Sequence, residues 1–318
     1  MTIAAVLIGY AVCVGTLGSR LLGRARWTAR APFLGIVTYL AAGWSVVAAL
    51  GLAGLTLAVH ATALGGDLSQ LIGACVLRLR ETYGTPGGAT VAGLGLTLAG
   101  AVAAWTVLTA MTHLRAVGQQ ALLHAETARL VGRPEPALGA VLVEHSEPVA
   151  YCVAGRHPTV ILSTGALRAL EPAQLAAVLA HERAHLVGRH HRLQALARIC
   201  RLVLPFLPLM READAQVARL VEMHADDAAG RASDPRSLAT ALVVLATGTS
   251  PAPALAASAT DSVQRIHRLL RPAEPLGQAR RQLLRATAAS FALTPVLLAL
   301  APALLALALG REIGRAHV

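Results

Sequence analysis

EPAQLAAVLAHERAH, residues 171–185, is the stretch from which the fold of this chain is read. Glu171 and Pro172 announce a helix start, because a proline in the first turn gives up no hydrogen bond. Leu175, Val178 and Leu179 then recur at helical spacing. The helix closes on His181-Glu182-Arg183-Ala184-His185. Two histidines at i and i+4 stand one turn apart on one face, so both imidazoles reach a single metal ion. Glu182 lies about 100° round the helix from His181, beside the metal rather than on it. From there its carboxylate can take a proton from water at the metal.

A catalytic zinc takes three protein ligands and leaves a fourth position open. Downstream, Leu220-Val221-Glu222-Met223-His224-Ala225-Asp226 offers Glu222 and Asp226 at i and i+4 on a second predicted helix. Glu222 is the candidate third ligand. Asp226 is the candidate acceptor for the second ring N–H of a ligand histidine, which would fix its tautomer. His224 falls about 200° from Glu222 on that helix and is read as a surface or packing residue. Two imidazoles and one carboxylate suit zinc best, one ion per chain.

Working outward, four apolar runs are long enough to cross a bilayer, which takes about 20 helical residues. They are residues 1–19, 31–59, 89–112 and 286–310. The first is followed, not preceded, by Arg20, Arg24, Arg26 and Arg30, the reverse of a secretory signal, so it is expected to remain as a span. Between spans two and three, Leu68, Leu71, Ile72, Cys75, Val76 and Leu79 predict a short amphipathic helix on the outer membrane surface, ending at residues 84–88. The chain carries a net charge of +11, with arginine as its only basic residue besides histidine. The arginines concentrate between spans one and two and between spans three and four, which predicts both connections in the cytoplasm and both termini outside. No recognition helix, zinc finger or aromatic stacking motif accompanies the charge, so direct nucleic-acid binding is not expected. The four cysteines show no C-x-x-C spacing, and neither a disulfide framework nor a thiolate metal site is expected.

The expected fold is a mainly α membrane protein with a cytosolic α+β metalloprotease domain inserted between spans three and four. Residues 1–112 form three spans with the outer loop, residues 113–285 the metalloprotease domain, and residues 286–318 the fourth span and a short tail. The domain opens with a predicted helix over 114–132, broken at Gly132-Arg133-Pro134. Three β-like runs follow at 140–144, 149–153 and 159–162. Beyond residue 171 the pattern is helical, with His190 and His191 read as its polar, interfacial continuation. The apolar run 202–210, with Pro205 and Pro208, is too short to cross a bilayer and is read as a buried connector or an interfacial segment. A Pro/Ala/Ser stretch near 249–259 is read as a loop.

Residues 149–192, including Val160-Ile161-Leu162-Ser163-Thr164-Gly165-Ala166-Leu167 and the helix ending in His181–His185, resemble the BlaR/MecR-type membrane zinc metallopeptidases, metallopeptidase family 56. The chain is similar, more distantly, to the Ste24/HtpX-type membrane proteases. Both kinds pair an HExxH helix with a later E-x-x-x-D helix, the gluzincin arrangement, matched here by Glu222 and Asp226. Val263-Gln264-Arg265-Ile266-His267-Arg268-Leu269-Leu270 resembles the Arg-Ile-x-x-Leu segment near the end of such domains. BlaR/MecR receptors carry a penicillin-binding sensor after the last span. Only residues 311–318 follow it here, so drug sensing is not expected.

The resemblance implies a membrane-bound zinc endopeptidase that cleaves a cytosolic protein, a repressor-type substrate in signal transduction. Glu182 serves as general base, and His181, His185 and Glu222 hold the metal. Arg265, His267 and His190 are the candidates for oxyanion or substrate contacts. Two alternatives stand beside this reading: a membrane quality-control protease of the Ste24/HtpX kind, and a non-catalytic scaffold that keeps zinc for stability. The partners expected are a protein or peptide substrate and the lipid bilayer. Oligomeric state is not specified by the sequence.

Overall fold

A computed structural model describes residues 2–58, 88–155, 157–247, 255–271 and 274–315. The expected outer helix, with Cys75, falls at residues 59–87, outside the described residues. The chain is mostly helical. Helices α1 (Thr2–Gly23), α2 (Pro32–Ala58), α3 (Gly88–Val131) and a last helix, α10 (Gln278–Arg315), are each long and apolar enough to cross a membrane. Helix α3 does not stop where its apolar run stops. It continues without a break through the separately predicted helix at 114–132, giving 44 residues, about 66 Å at 1.5 Å per residue. The sequence holds no proline between residues 88 and 131, so the apolar helix carries on as the first wall of the domain.

After α3 the chain forms a four-stranded sheet of β1 (Arg133–Glu135), β2 (Ala140–Val143), β3 (Ala150–Val153) and β4 (Thr159–Ser163), in the order β1-β2-β4-β3. The pair β2–β4 is parallel and the two outer pairs are antiparallel, which leaves β3 at an edge. At the end of β4, Ser163 Oγ accepts N–H groups from Val149 and Ala166, each at 2.9 Å, and donates to the Glu147 carbonyl at 2.7 Å. This turns the strand into the short helix α4 (Thr164–Ala169). Ala140, Leu142, Val160 and Leu162 face Leu175, Val178 and Leu179 of helix α5 (Pro172–Val187), and this contact is the core beneath the metal site. Helix α5 begins as its sequence announces: Pro172 sits in the first turn, and Glu171 and Gln174 close a capping box.

The helical pattern after residue 171 is interrupted once, at a point the sequence reading ran through. Gly188 ends α5 and Arg189 adopts a left-handed conformation, φ 49°. Helix α6 (His190–Val203) then sets off in a new direction, and α7 (Pro208–Ala232) returns from it. The apolar run at 202–210 is the tip of this α6–α7 hairpin, with Val203, Leu204, Leu209 and Met210 buried and Leu202, Pro205, Phe206 and Pro208 exposed. Leu209 and Met210 are fully buried among Leu7, Ile36, Tyr39 and Val46 of the first two apolar helices. A Cβ built on Gly15 of α1 would stand 3.1 Å from Leu207, and one on Gly43 of α2 would stand 3.5 Å from Cys200 Sγ. Trp105 of α3 donates to the Val203 carbonyl at 3.3 Å. Helices α8 (Pro235–Thr247) and α9 (Leu255–Leu270) complete the domain. Part of the stretch read as a loop near 249–259 is thus helical, since α9 starts as soon as Pro253 has passed.

Candidate metal centre

Helices α5 and α7 meet side by side and bring together the two halves of the sequence pattern. His181, His185 and Glu222 each offer a ligand atom, and the three atoms lie within 4.8 Å of one another. His181 Nε2 and His185 Nε2 are 3.1 Å apart, and each lies 3.5 Å from an oxygen of Glu222. A tetrahedral zinc with bonds of 2.0–2.2 Å has ligand–ligand edges of about 3.3–3.6 Å; the imidazole–carboxylate distances, made to different oxygens of Glu222, fall in that range, and the imidazole–imidazole distance is slightly shorter. Among the described residues, Arg265 and the His181 imidazole face the carboxylates of Glu222 and Asp226.

The supporting residues come from both sequence neighbours and distant helices. Asp226, 1% exposed, places Oδ1 3.1 Å from His181 Nδ1, close but oblique to the ring N–H direction. Arg265 of α9 grips Asp226 through two bonds of 2.8 Å and stands 3.1 Å from Glu222. Burial penalises the Asp226 charge, but Arg265 and His181 outweigh it and hold the carboxyl down at about 2. Burial likewise opposes ionised Glu222, yet His181 and Arg265 keep its carboxyl below the ordinary value. Burial would lower His181, but Asp226 and Glu222 overcome it and raise the imidazole to about 9. His185 goes the other way, to about 4, because burial dominates there.

Glu182 is the residue between the two imidazoles that is not among the metal-site donors. It lines the same cavity, of about 320 Å³, with His181, His185 and Glu222. Burial raises its carboxyl above the usual range, with the neighbouring Glu222 charge adding to the rise. A carboxylate in that state is a better proton acceptor than a solvated one. Arg183, the other side of the motif, reaches out to bond the Leu138 carbonyl at 2.6 Å and so ties α5 to the β1–β2 turn.

Two candidate contacts are displaced from the reading the sequence supported. His190 is not an interfacial or substrate-facing residue: it is 1% exposed and lies behind His185, with Nδ1 to Nδ1 at 3.0 Å. The left-handed turn at Arg189 causes this, by folding the start of α6 back under α5. His191, not His190, faces the cavity. His267 is exposed and lines a different cleft, because two residues along α9 from Arg265 is about 200° round the helix. His224 is half-buried against Phe33 and meets His190 Nε2 at 2.9 Å, extending a line of imidazoles away from His185.

The sequence reading did not single out Tyr151 and Cys152 of β3, which form one wall of the cavity. Burial, with Glu182 nearby, pushes the Cys152 thiol up to about 12, so it stands there as a neutral thiol. The available signal was the run at 149–153, whose position at a sheet edge beside α5 appears only once the strand order is known. Beyond that edge, an apolar groove of about 680 Å³ opens between β3, α6 and the extension of α3, lined by Leu114, Val117, Leu122, Val153 and Ala195.

Comparison with curated proteins and with solved structures gives no match. A family profile does match: Peptidase family M48, over residues 118–273. The matched stretch contains every side chain of the centre described above, from Cys152 on β3 to Arg265 on α9, and it supports an M48-family metallopeptidase.

Proposed function

We propose that the protein is a membrane-embedded zinc endopeptidase that cleaves a cytosolic protein in response to a regulatory cue. The observation that carries the peptidase reading is the triangle of His181, His185 and Glu222, with Glu182 opening onto the same cavity. Zinc held by those three residues would supply a positive charge that polarises a substrate carbonyl and acidifies water. Glu182 is placed to accept the proton of the attacking water and to return it to the leaving amine. Asp226 and Arg265 hold the ring of His181 and the carboxylate of Glu222 in place. The free edge of β3 offers backbone N–H and C=O groups to an extended substrate, which would add as a further strand across the cavity. The regulatory target rests on the BlaR/MecR resemblance, and the cytoplasmic placement of the domain on the distribution of arginines.

A second reading, quality control of membrane proteins, is favoured by one feature, the apolar groove that continues from the cavity along α3. The test is cleavage of casein and of candidate repressors by the purified full chain, with and without a zinc chelator. Glu182→Gln should retain zinc while losing roughly 10²–10⁴-fold in rate. Undiminished hydrolysis by that variant rules out Glu182 as the base. A single defined product from one soluble protein supports the regulatory reading, and many products from unfolded membrane proteins support the second.

A further inference from the structure

On the far side of α9 from the metal centre lies a cleft of about 490 Å³ between the α1–α2 connection and the protease half. Its lining includes six arginines: Arg24, Arg26 and Arg30 from the connection, Arg219 from α7, Arg268 from α9, and Arg271 just past the end of α9. Among the described lining residues there is no Asp or Glu, and His267 adds a further basic side chain. Arginines beside a span have an ordinary explanation as topology signals. That explanation covers the first three. It does not cover those of α7 and α9, which come from distant parts of the chain and converge on the same space.

Some of this charge is committed. Arg268 is a structural clamp, donating to the Ala29 carbonyl at 3.0 Å, the Met223 carbonyl at 3.2 Å and Asp227 at 2.8 Å. Arg219 is likewise engaged, donating to the amide oxygens of Gln216 and Gln264. The nearby carboxylate of Glu212 accepts from Gln216 at 3.0 Å. Arg24, Arg26, Arg30 and Arg271 are exposed. Those four exposed like charges beside one cleft favour an anion among them, and phosphate is the anion whose oxygens guanidinium groups match bidentately. The position narrows the source. The cleft opens where α1 ends and α2 begins, at one end of two helices apolar enough to cross a membrane, which is the level of lipid headgroups. Trp27 lies in the same connection, the residue type that favours that level.

We propose that this cleft binds the phosphate headgroup of an acidic phospholipid. A headgroup there would fasten the end of α9 to the α1–α2 connection through Arg26 and Arg271, the latter six residues beyond Arg265 of the metal centre. A free phosphate ion shares the chemistry, and the test separates the two. The full chain, purified in mild detergent, is titrated with phosphatidylglycerol and with phosphatidylcholine, and retained lipid is read by native mass spectrometry. The wild type should keep phosphatidylglycerol in preference to phosphatidylcholine. Arg24→Gln/Arg26→Gln/Arg271→Gln should lower that retention by roughly tenfold or more, and Arg271→Gln alone should lower it in part. Arg129→Gln/Arg168→Gln/Arg236→Gln, exposed arginines outside the cleft, should leave it unchanged. Equal retention by the first triple variant and the wild type, or equal loss in both triple variants, overturns the proposal. Displacement of the lipid by millimolar inorganic phosphate overturns the lipid assignment in favour of free phosphate.

Discussion

His190 supplies no ligand atom, yet it decides how His185 can present one. If His185 turns Nε2 toward a metal, its Nδ1 carries the hydrogen and donates to His190 Nδ1, 3.0 Å away. His190 then carries its own hydrogen on Nε2 and donates to His224 at 2.9 Å. One tautomer is thereby set at each ring in the line. Removing the second ring should leave His185 Nδ1 without its acceptor, so His190→Ala is expected to weaken zinc binding about 10–100-fold, measured by competition with a chromophoric chelator. Gly188→Ala should act in the same direction, because a Cβ at that position would press on His190 Nε2 and stand 3.0 Å from the Ala184 carbonyl.

Asp226 gives the residue scale a pH signature as well. Its folded value of about 2 lies below the roughly 3.9 of an unfolded carboxyl, so the unfolded chain takes up a proton first as acid is added. The ionised Asp226–Arg265 contact therefore stabilises the fold fully above about pH 4 and loses its effect as pH falls toward 2, by roughly 2 kcal/mol. Thermal unfolding of the metal-free chain from pH 6 to pH 3 should show this loss in the wild type. Asp226→Asn should be less stable at pH 6 and should converge on the wild type as pH falls. A constant difference between the two across that range would contradict the assignment.

At the scale of elements, the sequence was most informative where one helix carries its own pattern. The start of α5, the i, i+4 pairing of His181 with His185 and that of Glu222 with Asp226 are all local regularities, and the structure brings the two pairs face to face. What remained unread depends on contacts between elements. The break at Gly188–Arg189 is signalled only by Gly188, a residue type that ends helices, and was read through, so His190 was placed on a continued helix; its burial behind His185 depends on the direction of the turn. The β3 edge and its Cys152 needed the strand order, whereas the continuity of α3 into the domain was legible locally, in the absence of proline from residues 88 to 131. The α2–α3 crossing belongs to the same class. A Cβ on Gly54 would stand 2.7 Å from the Ala99 nitrogen, and one on Gly95 would stand 2.6 Å from the Gly54 carbonyl. Backbone meets backbone there, with no flexible side chain to yield. Gly54→Val is therefore expected to separate the two helices at a cost of at least about 2 kcal/mol, read as a lowered thermal midpoint in detergent. Gly93→Val, at a position with open space around it, should be far milder.

At the scale of the whole molecule, α6 and α7 connect the metal site to the middle of the apolar bundle. Leu207 at the hairpin tip meets Gly15 near the centre of α1, and Cys200 and Met210 meet Gly43 near the centre of α2. From the tip, the 14 or so residues of α7 that lead to Glu222 descend about 21 Å. Half of a 30 Å hydrocarbon layer is about 15 Å, so, if α1 and α2 cross a bilayer, a tip near its middle would set the metal site a few ångströms outside the apolar layer. Phe206, at the tip, is 69% exposed, whereas its neighbours Leu204 and Leu209 are buried, so its ring points outward from the bundle. Val187, at the end of α5 beside the metal ligands, is 84% exposed. If the bundle spans a bilayer in this way, a nitroxide attached through Phe206→Cys, in a chain with its native cysteines replaced by alanine, should collide readily with oxygen and poorly with a water-soluble nickel chelate. The same label at Val187→Cys should show the opposite preference. Equal access of the nickel chelate to both positions in reconstituted vesicles would mean that the hairpin is not sunk in lipid, and the site would then have to draw its substrates from water alone.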